Sequence, residues 1–545
     1  MTAPSDQEPI DGSAPALHSR SARICQGNRM DASGDAAIPE EWDPFGRPLF
    51  KDASARALSR VGVVDVGSNS VRMVVFDGAA RSPAYFFNEK VMAGLGAGMA
   101  DTGRLNPEGK VRAMAALKRF QLLAEAMGIA PLTAVATAAV REAEDGPAFR
   151  EDVLRETGLR LWVIDGEEEA RLSAQGVLLG WPGAYGLVCD IGGSSMELAE
   201  LRDGEVGKRL SSKLGPQRLK TLKGGKKGLK KHLKSQMESL AETMGPQPDR
   251  LFLVGGSWRA IARIDMERRG YPLAVLHEYR MSRQAVFDTI RYIDGSDLED
   301  LRTRTGLGES RMALVPLAAQ VLKHLIRTFK PRDIAVSSYG IREGMLYEQM
   351  PSELRDRDPL IEAARFHEDK NARMPGFGKR LYEFVLPLFT ARNAPDKRLI
   401  KAACLLHDVS WRAHPDYRHE VCFDEVTRAN LGGMRHRERI FLGVALLHRY
   451  KNSRDKSPFQ PLFDLLNEED LRRAEILGKA LRFGAMLTAS ENQKMGRLRY
   501  FPKKKVLELH LAPGTRALFG EVAEARLTSL AEALGDVEVV VKGRS

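Results

Sequence analysis

The first sustained hydrophobic pattern begins at Val61. Val61-Gly-Val-Val-Asp-Val-Gly is a short apolar run, and after the polar turn Ser68-Asn-Ser the segment Val71-Arg-Met-Val-Val-Phe returns. The pair predicts a β-hairpin with a polar tip. Helical periodicity follows over Glu108–Met127. A strand near Leu132–Ala138, a helix and a strand at Leu161–Ile164 continue an alternating α/β pattern. Then the opening recurs. Gly186-Leu-Val-Cys-Asp-Ile-Gly-Gly-Ser-Ser is again an apolar strand ending in Asp-x-Gly and a small polar turn, and Met196-Glu-Leu-Ala-Glu-Leu returns from it. Asp65 and Asp190 are separated by about the length of a small domain. Further strand-turn-helix units are expected at Leu251-Phe-Leu-Val-Gly-Gly-Ser-Trp and near Asp333–Ser337.

After Asp358 the texture changes. Residues 360–495 carry helical periodicity with few β-rich runs. Lys505-Val-Leu-Glu-Leu-His-Leu, a helix at Leu518–Leu534 and Val537–Lys542 read as a small α+β segment. Residues 1–55 are rich in Ser, Ala, Asp, Gly and Pro without periodicity, and a disordered extension is expected there. The expected architecture is α/β. Two duplicated domains, residues 56–172 and 173–352, face each other across a cleft. A helical domain (353–500) and an α+β tail (501–545) follow. Hinges near 172 and 350 would let the lobes close over a substrate.

Composition narrows the partners. The chain has 545 residues, enough for several cores, and Lys plus Arg outnumber Asp plus Glu by 83 to 72, a net charge of +11. That excess favours an anion. Four cysteines without a C-x-x-C pair point to a reducing, cytoplasmic setting. No apolar run reaches the length of a membrane span, and the N-terminus lacks a basic segment followed by an apolar core.

The two turns carry the candidate chemistry. Glycine lets the backbone bend sharply and brings its N–H groups close to a ligand, and several converging N–H groups make a nest for phosphate oxygens. Ser68, Asn69, Ser70, Ser194 and Ser195 add short donors. The strand-end aspartates Asp65 and Asp190 suit Mg²⁺, which prefers carboxylate and phosphate oxygens. Between the hairpins lies Gly166-Glu-Glu-Glu-Ala-Arg-Leu, a helix start rich in acids, as the helix dipole favours. One of its carboxylates could instead enter the cleft and deprotonate water.

Several motifs resemble the exopolyphosphatase and guanosine pentaphosphate phosphohydrolase family, within the actin, sugar kinase and Hsp70-like superfamily. They are Asp65-Val-Gly-Ser-Asn-Ser-Val-Arg, Ala136-Thr-Ala-Ala-Val-Arg141, Glu168-Glu-Ala-Arg-Leu, Asp190-Ile-Gly-Gly-Ser-Ser-Met-Glu197 and Gly340-Ile-Arg-Glu-Gly. The resemblance implies two RNase H-like domains of the actin-like ATPase kind. It makes Glu169 the catalytic base and gives Mg²⁺ to Asp190 and Glu197. Gly192, Gly193, Ser194 and Ser195 would cradle one set of phosphates, and Gly67, Ser68, Asn69 and Ser70 the other. Arg141 resembles the arginine on the terminal phosphate, a role that suits its planar fork. The family usually reads Asp-Ile-Gly-Gly-Gly-Ser-Thr-Glu. Here Ser194 replaces a glycine and Met196 a threonine. A Ser194 forced to positive φ would loosen phosphate approach, and Met196 lacks a hydroxyl for the metal shell.

Two further features stand out. Eight Lys/Arg and no acid lie between Arg218 and Lys234. Such a block is commonly a solvated helix face. Following the second phosphate turn, Lys223, Lys226, Lys227, Lys230 and Lys231 could instead form a polyanion track, with strong salt dependence. No aromatic interleaving or readout motif for nucleic acid accompanies them. In the helical region, Leu405-Leu-His407-Asp408 carries the adjacent His-Asp of HD phosphohydrolases, and the resemblance implies an HD-like domain whose metal site has decayed.

The expected function is release of terminal orthophosphate from inorganic polyphosphate by metal-assisted attack of water. Guanosine pentaphosphate is the alternative substrate. A kinase or ATPase of the same superfamily would use Leu253-Val-Gly-Gly-Ser to border adenosine, and a non-catalytic sensor would bind a polyphosphate or alarmone without turnover. Fold analogy suggests a homodimer.

Overall fold

The computed structural model describes residues 42–45, 49, 60–77, 81–129, 132–389, 396–488 and 495–543. The extension expected over residues 1–55 lies almost wholly outside them.

Strand β1 (Val61–Val66) pairs antiparallel with β2 (Val71–Phe76), placing Asp65 opposite Arg72. Strand β3 (Tyr85–Val91) continues antiparallel, and β4 (Thr133–Ala136) and β5 (Leu161–Val163) run parallel to β1 on its other side. The order is β3-β2-β1-β4-β5. Helix α1 (Pro107–Ala126) covers this sheet with Leu117 and Phe120. Helices α2 (Ala138–Glu142) and α3 (Gly146–Thr157) follow β4.

The second sheet contains β6 (Gly186–Ile191), β7 (Met196–Arg202), β8 (Glu205–Ser212), β9 (Arg250–Val254), β10 (Arg280–Met281) and β11 (Asp333–Val336). Its order is β10-β11-β9-β6-β7-β8. From β8 to β11 it repeats the first sheet's order and strand senses, and β10 adds an antiparallel edge. Every residue of β6 is buried, which is why its sequence is a continuous apolar run rather than an alternation.

Helix α4 (Gly166–Gly180) joins the two sheets. Asp165 caps it by accepting from the Glu168 N–H. Its buried face, Ala170, Ala174, Val177 and Leu178, packs on Val188 and Ala199 of the second sheet. The division expected at residue 172 therefore falls inside an unbroken helix that draws its burial from the second sheet. Helices α5 (Pro216–Lys220), α6 (Gly225–Met244), α7 (Gly256–Arg268), α8 (Val315–Phe329) and α9 (Ile341–Glu348) are among the helices of this part. Helix α9 crosses α4 at backbone contact. A Cβ on Gly344 would lie 1.8 Å from the Leu172 carbonyl oxygen, and one on Gly176 would lie 2.2 Å from that of Gly340.

The C-terminal part is helical, with Pro359–Asn371, Lys397–Leu405, Arg418–Arg428, His436–Tyr450 and Glu468–Leu487 as its main helices. Strands β12 (Arg497–Phe501), β13 (Val506–Leu511) and β14 (Glu538–Gly543) form a three-stranded sheet beside helix Glu521–Gly535. Leu381, Ile440 and Leu481 share one core with Leu498, Leu509 and Leu527, so the tail packs into the helical part rather than standing apart. Among the described residues no helix is long and apolar enough to cross a membrane.

Candidate functional site

Both hairpins close in the same way. Gly67 N–H donates to Ser70 O at 3.0 Å, and Gly192 N–H donates to Ser195 O at 3.0 Å. A cavity of about 180 Å³ is lined by residues of both turns. Asp65, Gly67, Ser68, Asn69, Ser70, Glu169, Asp190, Gly192, Gly193 and Ser195 all reach it. The second turn is held from behind by Gly215, whose N–H donates to Ser194 O at 3.2 Å. Gln217 N–H donates to Gly193 O at 2.9 Å. A side chain at 215 would overlap the Ser194 backbone at 2.2 Å.

Of the three acids that open α4, only Glu169 turns inward. Glu167 is exposed, and Glu168 pairs with Arg171, which also reaches Glu348. Glu169 is 5% exposed. Burial pushes its carboxyl well above the ordinary range, and the nearby Glu197 and Asp190 add to the rise. Arg141 donates to Ile164 O at 2.7 Å and lies 3.4 Å from Glu169 Oε2. It stands behind the glutamate rather than in the cavity lining.

Burial likewise raises Asp65 and Asp190, and it carries Glu197 up to about 8, with Asp190 adding to the shift. Ser173 donates to Asp190, and Ser211 donates to Glu197 Oε1 at 3.0 Å, while Glu197 Oε2 is buried without a partner. A crowd of carboxylates that cannot all ionise, one with an orphaned oxygen, fits a divalent cation. Among the described residues no three His, Cys, Asp or Glu groups converge into a metal cage. A divalent cation here would take one or two of these carboxylates, with water and substrate oxygens completing its shell.

The two departures resolve differently. Ser194 is not among the positive-φ residues, so the serine fits without strain, and its Oγ donates to Ser68 Oγ of the opposite turn at 3.1 Å. Met196 is fully buried in the core beside Leu198, away from the carboxylates.

Sequence reasoning missed the other wall of the cavity. Arg72, Lys90, Arg259, Arg311 and Arg342 line it together. Arg72 Nε donates to Asn88 Oδ1 at 2.7 Å, Arg259 Nε donates to Gly255 O at 3.1 Å, and Arg342 Nη1 is buried without a partner. Burial and mutual repulsion pull Arg72 down to about 10. Partial desolvation and four neighbouring guanidiniums pull Lys90, on the open rim, down to about 8. Three of these residues had a local signal, each standing just after a turn: Arg72 after Ser70, Arg259 after Gly-Gly-Ser-Trp and Arg342 after Gly340.

The lysine block lies on α6 and the loop before it, with Lys223, Lys226, Lys227, Lys230 and Lys231 exposed and outside the cavity. In the helical part, Asp408 accepts two hydrogen bonds from Arg373, at 2.9 and 2.7 Å, and Arg449 lies 3.7 Å away. His407 is buried against Cys404 O at 2.8 Å, and burial holds its imidazole down to about 4. Arginine neutralises the Asp408 carboxylate of the pair.

Two matched turns, a buried carboxylate set and a wall of guanidiniums define an α/β protein built to hold a multiply charged anion. The profile of the Ppx/GppA phosphatase family matches residues 74–353, just over half of the chain, and that of the exopolyphosphatase C-terminal region matches residues 370–541. The chain belongs to the Ppx/GppA phosphatase family. It is 26% identical over 326 residues to exopolyphosphatase 1 of Mycobacterium tuberculosis, covering 57% of this chain and 94% of that protein. It is 25% identical over 446 residues to retrograde regulation protein 2 of Saccharomyces cerevisiae, covering 73% of this chain and 74% of that one. A solved exopolyphosphatase from Cytophaga hutchinsonii is similar with a TM-score of 0.49 at 24% identity, covering 54% of this chain and 98% of the other.

Proposed function

We propose that the chain hydrolyses inorganic polyphosphate from its end, releasing orthophosphate. The observation that carries this reading is one cavity in which two phosphate-cradling turns, a buried glutamate and five cationic side chains meet. Family membership and the exopolyphosphatase relatives support it.

The turn N–H groups not spent on closing the hairpins, with the hydroxyls of Ser68, Ser70 and Ser195, hold the terminal phosphate, and Arg72, Lys90, Arg259, Arg311 and Arg342 hold the phosphates behind it. Glu169 accepts a proton from water as the water oxygen bonds to the terminal phosphorus. The bridging P–O bond breaks, and the shortened chain leaves with the electron pair. Arg141 acts through Glu169, fixing its orientation. Asp190 and Glu197, with Asp65 nearby, would hold Mg²⁺, which when bound supplies charge neutralisation on phosphoryl oxygens. None of the cavity-lining residues is aromatic, so the site offers a nucleobase no aromatic platform, while its cations suit a bare phosphate chain.

The architecture in this reading is two duplicated RNase H-like domains, an HD-like helical region in which arginine has taken the metal's place, and an α+β tail. The repeated strand order supports the duplication, and the Arg373–Asp408 pair supports the loss of metal.

The test is orthophosphate release with Mg²⁺ from inorganic polyphosphate and, separately, from guanosine pentaphosphate. Release from polyphosphate with the higher kcat/KM is expected. Release from guanosine pentaphosphate alone would transfer the reading to that substrate. Tight binding of either without release would make the protein a sensor.

A further inference from the structure

A groove of about 570 Å³ lies between α6 and α8, away from the cleft. Its floor includes Leu229, Leu233 and Leu317. Its rim carries Lys226 and Lys230 from α6 and Lys323 and Arg327 from α8. The one acid lining it, Asp294, already receives Gln320 Nε2 at 3.4 Å. The convergence of charge registers on His324 in the same wall. Burial, then Arg327, Lys323 and Lys230, hold its imidazole below the ordinary value. Cations from two facing helices, over an apolar floor that lowers the local dielectric, make a stronger anion site than a ridge of lysines in water.

Residues that line the groove follow closely in the chain on residues that line the cleft. The cleft cavity and a second cavity of about 520 Å³ share Asn69 and Leu314. The second cavity is lined by Lys220 of α5 and by Arg218, which pairs with Glu142 at 2.8 Å. Lys223 follows in the chain, and α6 then brings Lys226 to the groove. On the other side, Leu314 directly precedes α8, whose Pro316 and Leu317 line the groove. At 1.5 Å per helical residue, Leu314 and Arg327 are about 20 Å apart, within reach of an extended phosphate chain.

We propose that this groove is a second anion site, holding a distal stretch of an inorganic polyphosphate chain whose end lies in the cleft. The proposal rests on the polyphosphate reading above. Each interior phosphate carries a negative charge, and flexible lysines suit a chain with no fixed geometry. Anchoring the chain raises the effective concentration of its end at the turns. Of the lysines in the basic block, Lys226 and Lys230 face the groove. Lys223 lies on the way to it, and Lys227 and Lys231 are outside its lining.

The experiment measures equilibrium binding of long-chain polyphosphate and of tripolyphosphate to the full-length Glu169→Gln protein, with and without Lys226→Gln, Lys230→Gln, Lys323→Gln and Arg327→Gln together. The four changes are expected to weaken long-chain binding by about tenfold or more and to lower its log–log salt slope by about 3, as four lost phosphate contacts on a single-stranded polyanion would. Tripolyphosphate, too short to leave the cleft, is expected to bind as before. A charge-retaining set, with arginine at the three lysines and lysine at 327, should keep long-chain binding and so separates charge from folding. Unchanged long-chain affinity and salt slope in the glutamine set would overturn the groove. Equal binding of single-stranded DNA through the same four residues would overturn its assignment to substrate. Failure of the parent protein to bind either phosphate chain would overturn the polyphosphate reading, and the groove assignment with it.

Discussion

Lys90 stands on the open rim of the cleft, and partial desolvation with four nearby guanidiniums brings its ammonium down to about 8. A lysine lowered in this way is charged below that pH and neutral above it. Since kcat/KM reports the free protein, the wild-type value relative to that of Lys90→Arg should fall as pH rises through about 8. Lys90→Arg should extend the plateau upward, and a pH–rate series on the two proteins checks this. Much of the site was legible at this scale. The motif singled out Glu169, and the fold gives the reason: Glu168 is taken by Arg171 and Glu167 faces water. Two other features were not legible. The cation wall is assembled from separate segments of the chain, so no stretch of sequence displays it. The place of Arg141, behind Glu169 and bound to the Ile164 carbonyl, depends on how α2 meets the end of β5.

The hairpins were the most legible elements, because a buried strand, a Gly-Ser turn and a returning strand leave a pattern that tolerates little else. The helix opened by the acids was legible too, though its allegiance was not. Helix α4 begins beside the first sheet's last strand in sequence, yet its apolar face rests on the second sheet, and that face does not name its partner. Its crossing with α9 depends on Gly176 and Gly344. Gly344→Ala would drive a methyl group into the Leu172 carbonyl, a contact of 1.8 Å that only separation of the helices relieves. The expected cost is about 3 kcal/mol, at the upper end for overpacking. It should appear in urea unfolding, with a loss of activity because α4 carries Glu169. An unchanged unfolding midpoint would mean that the helices are not in contact there.

At the scale of the molecule, the repeat of two sheets was foreseen from the repeated hairpin, whereas the union of the helical part and the tail in one core was not. Alternating positions in β13 announce a covered face without saying what covers it. The His-Asp pair in that core makes a second test. Asp408→Asn would leave Arg449 without its nearby charge and break the Arg373 fork. The expected destabilisation is about 3 kcal/mol, the low end for a buried pair because Arg373 is half open to water. Thermal unfolding measures it, and metal analysis of the wild type should find no stoichiometric transition metal in this region. A metal lost on Asp408→Asn would reverse that assignment.

In the proposed mechanism a buried glutamate between two phosphate-holding turns activates water. Its most direct test compares orthophosphate release from long-chain polyphosphate, with Mg²⁺, by the wild type and by Glu169→Gln. Glu169→Gln should lower kcat by about a thousandfold, in the range for loss of a general base, with chain binding retained. A Glu169→Gln protein that releases phosphate at the wild-type rate would contradict it.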